Sequence, residues 1–169
     1  MTQIRQMSRF VSVVAVGLTL AFTSTAFAAS NSPFIGTWKM NVAKSKSSAA
    51  LPLSSTYVVE AAGEGIKSTQ DSVSDKGVKN HSTYTANFDG KTYPRRQEPS
   101  STLTSNGRSS SIALTLVSPN SYKAVSIGKA GTRNTTTVIS ADGKTRTSTA
   151  KDKNADGTTV TMTYVYEKQ

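Results

Sequence analysis

Tyr84-Thr85-Ala86-Asn87-Phe88-Asp89-Gly90 is the stretch whose reading decides the fold. Tyr84, Ala86 and Phe88 fall on one parity, and Thr83, Thr85 and Asn87 on the other. That is the period-two pattern of a strand with one wet face. Asp89-Gly90 then supplies the positive φ of a tight hairpin turn. The same two signals recur outward in both directions. Upstream, Tyr57, Val59 and Ala61 alternate with Val58 and Glu60 ahead of Gly63-Glu64-Gly65, and Asp75-Lys76-Gly77 follows. Downstream, Ile112, Leu114 and Leu116 share a parity ahead of Pro119-Asn120. Asn106-Gly107, Gly131, Asp142-Gly143 and Asp156-Gly157 punctuate the rest, and Val160, Met162, Tyr164 and Tyr166 alternate with Thr161, Thr163 and Val165. Enrichment in Thr, Val and Tyr agrees with strands.

The pattern predicts strands at 35–42, 54–62, 66–74, 79–88, 111–118, 121–129, 133–140, 144–151 and 158–167, with a short turn of helix over 41–47. The expected fold is all-β: an antiparallel up-and-down meander of about 8–9 strands closed into a barrel, because closure removes exposed edge strands. A β-sandwich is the alternative that pattern alone leaves open. Pro94 to Arg108 lacks clear alternation and holds Arg95, Arg96, Pro99 and several serines, so it reads as a long loop.

Residues 1–28 read as a secretory signal peptide. Arg5 and Arg9 precede the apolar run Val11–Phe22, and Ala26-Phe27-Ala28 is an A-x-A cleavage site. The run is too short for a membrane-spanning helix, which needs about 20 residues. The expectation is an exported protein, periplasmic or extracellular and not integral to a membrane, with residues 29–169 forming one domain. The 169 residues carry 20 Lys+Arg against 10 Asp+Glu, a formal charge of +10, with no cysteine and one histidine. That composition excludes disulfides, thiolate metal sites and cysteine nucleophiles. The 25 Ser and 24 Thr suit the outward positions of polar strands.

Phe34-Ile35-Gly36-Thr37-Trp38-Lys39-Met40-Asn41, followed by Ala43-Lys44-Ser45-Lys46, resembles the opening of exported bacterial lipocalin-like proteins. Tyr84-Thr85-Ala86-Asn87-Phe88-Asp89-Gly90-Lys91-Thr92-Tyr93-Pro94, Ser140-Ala141-Asp142-Gly143-Lys144-Thr145 and the closing Tyr166-Glu167-Lys168-Gln169 continue the likeness. The resemblance implies a small calycin-type barrel with no assigned activity. It also implies a barrel-closing motif of Gly36, Trp38 and Lys168, with the lysine cation over the indole face. The extra Ser-rich residues between Gln97 and Ser111 depart from the family pattern.

Candidate chemistry is sparse. Asp152-Lys153-Asn154-Ala155-Asp156-Gly157 opens like a calcium loop, but Thr163 stands where the bidentate Glu is needed, and a hairpin turn explains the motif. His81 lacks a partnered nucleophile motif and reads as a surface or pocket-rim side chain. No catalytic residue, metal site or cofactor is expected. Lys123, Lys129, Arg133, Lys144, Arg146, Lys151 and Lys153 concentrate after residue 120 without aromatic interleaving, which disfavours nucleic acid. Tyr57, Tyr84, Phe88, Tyr122 and Tyr164 are the candidate ligand-binding residues, with core packing as their alternative role. The expected function is an exported, non-catalytic carrier of a small, partly apolar ligand. The alternative is an envelope interaction protein that binds anionic glycan or lipid head groups through a basic surface.

Overall fold

The computed structural model describes residues 32–99, 111–128, 131–153 and 157–169. The leader, Asn106-Gly107 and the 154–156 part of the calcium-like motif lie outside them.

The described chain is all β. Its strands are β1 (Gly36–Met40), β2 (Lys46–Ser47), β3 (Ser54–Ala62), β4 (Gly65–Val73), β5 (Lys79–Asn87), β6 (Asp89–Pro99), β7 (Ser111–Ser118), β8 (Ser121–Gly128), β9 (Gly131–Ile139), β10 (Thr145–Lys153) and β11 (Thr159–Lys168). From β3 to β11 each strand pairs antiparallel with the next, and β1 pairs with both β3 and β11. That double pairing closes an up-and-down barrel of ten strands and leaves no sandwich.

Two features differ from the sequence reading, and the second brings a further contact. First, β6 runs through Pro94–Pro99, where a loop is expected; it pairs with β5 from Asn80↔Pro99 to Tyr84↔Arg95. Arg95 there points inward and is held by Gln70 and Ser82, so a polar side chain fills the inward parity that hydrophobicity would otherwise mark. Second, residues 41–47 form a hydrogen-bonded turn and then β2, without a helix. Lys46 and Ser47 pair with Thr163 and Met162, so β1 and β2 occupy successive stretches of the β11 edge. The turn between them is pinned by Glu167, which accepts from Lys44 Nζ at 2.9 Å and Asn41 Nδ2 at 3.0 Å. The Lys44 bond, then the Asn41 bond, hold the Glu167 carboxyl below its ordinary pKa.

The connections β3–β4, β5–β6, β7–β8 and β9–β10 meet at one end of the barrel, together with the start of β1 and the end of β11. Apolar side chains fill this end: Phe34, Trp38, Val59, Ile66, Leu114 and Ile139 are fully or almost fully buried. Phe34 stacks edge-on against Tyr122 at 4.9 Å between ring centroids and lies 5.5 Å from Phe88.

Gly65, opposite Asn87 in the β4–β5 ladder, shows how tightly that end is built. A Cβ there would lie 2.0 Å from the carbonyl oxygen of Ala86 and 2.6 Å from Asn87 Cα, both backbone atoms that cannot swing aside. Gly65→Ala is therefore expected to cost about 1–3 kcal/mol, as overpacking does, read as a lower urea midpoint at unchanged slope.

Candidate functional site

Trp38 anchors the packed end. Its side chain is 0% exposed, and its Nε1 donates to the Phe34 carbonyl at 2.9 Å, so the indole carries no orphan donor. Trp38 pairs across the seam with Lys168, whose Nζ lies 5.2 Å from the indole centroid. Gly36 explains how the lysine reaches that place. Its φ of +134° is a conformation side chains avoid, and a Cβ there would stand 2.7 Å from Lys168 Cε. The Gly36–Trp38–Lys168 constellation is thus one piece of packing: the glycine leaves room for the lysine stem over the ring. Lys168→Met is expected to lose about 0.5–1 kcal/mol, the value of an exposed cation–π contact, measured by denaturant unfolding.

Moving along the strands away from that end, the next inward layer is tyrosine and arginine. Tyr84 and Tyr122 are buried; Tyr57, Phe88 and Tyr164 are half-buried and pack against the same core. Tyr57 meets Tyr166 edge-on at 5.3 Å. The five aromatic side chains expected to line a pocket therefore all lie inside the barrel. Burial, then the neighbouring phenols, pushes the hydroxyls of Tyr84 and Tyr166 above the ordinary tyrosine pKa, so both stay neutral.

Arg146 sits in the middle of this layer. Read from sequence as part of a surface basic run, it is only 4% exposed and faces inward. Its Nη2 donates to Tyr122 Oη at 2.9 Å, and its guanidinium lies 4.4 Å from the Tyr57 centroid and 5.8 Å from that of Tyr166. Its Nε is buried with no hydrogen-bond partner. Burial opposes its charge, while Tyr122, Tyr57, Tyr84 and Tyr166 surround it.

Two more arginines point inward. Arg133 donates to Asp152 through Nε at 2.6 Å and through Nη2, a bidentate pair that consumes the carboxylate. Asp152 is the first residue of the calcium-like motif, and that pairing removes it from the role of cation ligand. Arg95 Nη2 donates to Ser82 Oγ at 2.8 Å and Gln70 Oε1 at 3.3 Å, and its Nε is also buried and unpartnered. Asp152 is the inward carboxylate among the described residues, so two guanidinium charges stand uncompensated inside the barrel.

Beyond the arginine–tyrosine layer, the inward positions mix small residues with larger ones: Ile112 stands opposite Ser126, Met162 opposite Ala150, and the Arg133–Asp152 pair follows. Ser55, Ser82, Ser126, Ser148, Ala124 and Ala150 are all buried there. Serine and alanine contribute little volume to a barrel of ten strands, wider than the eight-stranded barrels that side chains alone can fill.

The outside of the barrel is different in kind. His81 is an outer-face residue on β5, with Nδ1 2.7 Å from Oδ1 of exposed Asp71. A shallow groove of about 430 Å³ runs along the seam, lined by Lys39, Met40, Asn41, Val42, Glu167 and Gln169. Its carboxylate is already engaged by Lys44 and Asn41. No group of three or more His, Cys, Asp or Glu able to hold a metal occurs among the described residues, and no described helix is long and apolar enough to cross a membrane. No family model, curated protein or solved structure matches the chain.

Proposed function

We propose that the protein is an exported, non-catalytic carrier of the bacterial lipocalin-like kind that takes a small, partly apolar ligand into its barrel. One observation carries this reading: a ten-stranded barrel whose second half sets buried Ser and Ala among Ile112, Met162 and the Arg133–Asp152 pair, above a floor of aromatic side chains. Ligand pockets combine mostly apolar walls with a few placed polar groups. Here the tyrosine rings provide the wall, and their hydroxyls and the arginines provide the polar groups. Titration of the mature chain with the neutral fluorophore N-phenyl-1-naphthylamine tests it. Saturable enhancement at one site per chain is expected; the absence of any saturable binding contradicts the reading.

A second reading rests on the outer face. The register Lys123↔Thr136↔Thr149↔Thr163↔Lys46 lays an outward row of threonines between two lysines. A row of this composition favours anionic glycan or lipid head groups by charge. Adsorption to anionic vesicles that vanishes with added salt and with Lys46→Gln/Lys123→Gln supports it; adsorption insensitive to both contradicts it.

A further inference from the structure

We infer that the ligand of the barrel interior carries a monoanionic oxyanion head group, of which a carboxylate is the simplest, and that Arg146 is the residue that binds it. The inference rests on the carrier reading above and names the ligand's chemistry.

Burying a guanidinium removes strongly held water, and a charge kept inside a protein is ordinarily paired with an anion. Arg133 meets that condition through Asp152. Arg146 does not. Its neighbours are the phenols of Tyr57, Tyr84, Tyr122 and Tyr166, and two of these are driven further from ionisation by burial. The π faces of Tyr57 and Tyr166 offset part of the desolvation. They leave the buried Nε–H without an acceptor. An arginine Nε and its adjacent Nη form a planar two-donor edge that matches the two oxygens of a carboxylate. Tyr122 holds the plane of that edge through its hydroxyl.

The surroundings fix the rest of the ligand. An oxyanion at Arg146 lies against tyrosine rings, with the packed Phe34–Trp38 end on one side. The small side chains Ser148, Ala150 and Ala124 continue from this layer, beside Tyr164 and Met162, toward the Arg133–Asp152 pair. A head group bound at Arg146 therefore leaves its chain to run along that half of the barrel, so the ligand is an amphiphile bound head first. Arg95, in register with Tyr84, brings a second uncompensated guanidinium to the same barrel half.

Displacement of N-phenyl-1-naphthylamine by dodecanoate and by 1-dodecanol separates the claims. Dodecanoate is expected to displace the probe at roughly tenfold lower concentration or better, the worth of a charge-assisted hydrogen bond. Arg146→Met should erase that difference and leave dodecanol binding in place; Lys151→Met, on the outer face, should preserve it. A wild-type measurement guards against a variant that fails to fold: the carboxyl carbon-13 resonance of labelled dodecanoate, once bound, should stay in its ionised position well below the pH at which the free acid protonates. Equal displacement by acid and alcohol, or a bound carboxyl that titrates as the free acid does, overturns the anion inference and leaves the carrier reading standing. Failure of the naphthylamine to bind at all overturns both.

Discussion

Trp38→Ala is expected to lower the unfolding free energy by about 3–5 kcal/mol, the cost of emptying a fully buried aromatic site. Three observations place it at the top of that scale. The indole is completely buried, its Nε1–H is satisfied by the Phe34 carbonyl, and its residue pairs with both Tyr57 and Lys168 at the strand seam. Removing it leaves an apolar void and an unpaired Phe34 carbonyl where the first and last strands must meet. A domain with about 5–15 kcal/mol of total stability would be left marginal. Urea unfolding followed by far-ultraviolet circular dichroism measures the loss. A loss below about 1 kcal/mol, within reach of surface substitutions, would mean that the indole does not hold the barrel closed. The much smaller effect expected for Lys168→Met provides the internal comparison, since it removes the cation and leaves the ring packed.

The second large effect is alkaline unfolding. Tyr84 and Tyr166 have raised pKa values in the folded chain, chiefly because burial disfavours the phenolate. Their contribution is therefore complete below about pH 10, where unfolded tyrosine begins to ionise. Above that, the unfolded chain releases protons that the folded chain must keep, and stability falls with rising pH. Each such phenol removes about 1.4 kcal/mol per pH unit until its folded-state pKa is reached. Cooperative loss of β-sheet signal should accompany the rise of tyrosinate absorbance. The double variant Tyr84→Phe/Tyr166→Phe, which keeps the rings and removes the ionisable groups, should move the transition to higher pH. Gradual tyrosinate formation with the sheet signal intact would show that these hydroxyls reach solvent.

What was legible in the sequence follows from which strands have one apolar face. Tyr84, Ala86 and Phe88 against Thr83, Thr85 and Asn87 declare the inward parity of β5 outright, and Met162, Tyr164 and Tyr166 do the same for β11. Strand β10 declares nothing. Its inward residues are Arg146, Ser148, Ala150 and Asp152, its outward ones threonines and Lys151, and hydrophobicity has no contrast to read. The signal that finds Arg146 is register: across the Gly157 hairpin, Ala150 stands opposite Met162 and Arg146 opposite Tyr166, so β10 inherits its parity from β11. Strand β6 was hidden in the same way, because Arg95 and Gln97 take its half-buried positions and Arg96 its exposed one. Polar side chains at inward positions defeat binary patterning wherever they occur. In this chain those positions are also the ones proposed above for ligand recognition.

Entry of an amphiphile into the barrel, with its head resting on Arg146 as proposed, is read at two methyl groups. Met40 and Met162 are both buried inward residues; Met40 is paired with Tyr166, and Met162 lies farther along the same strand, opposite Ala150. With methyl-labelled methionine, titration of the protein with dodecanoate is expected to shift the Met162 resonance, and to show contacts between that methyl and the ligand's methylene protons. Unchanged Met40 and Met162 resonances at saturating dodecanoate, with perturbations confined to outer-face residues, would contradict the account.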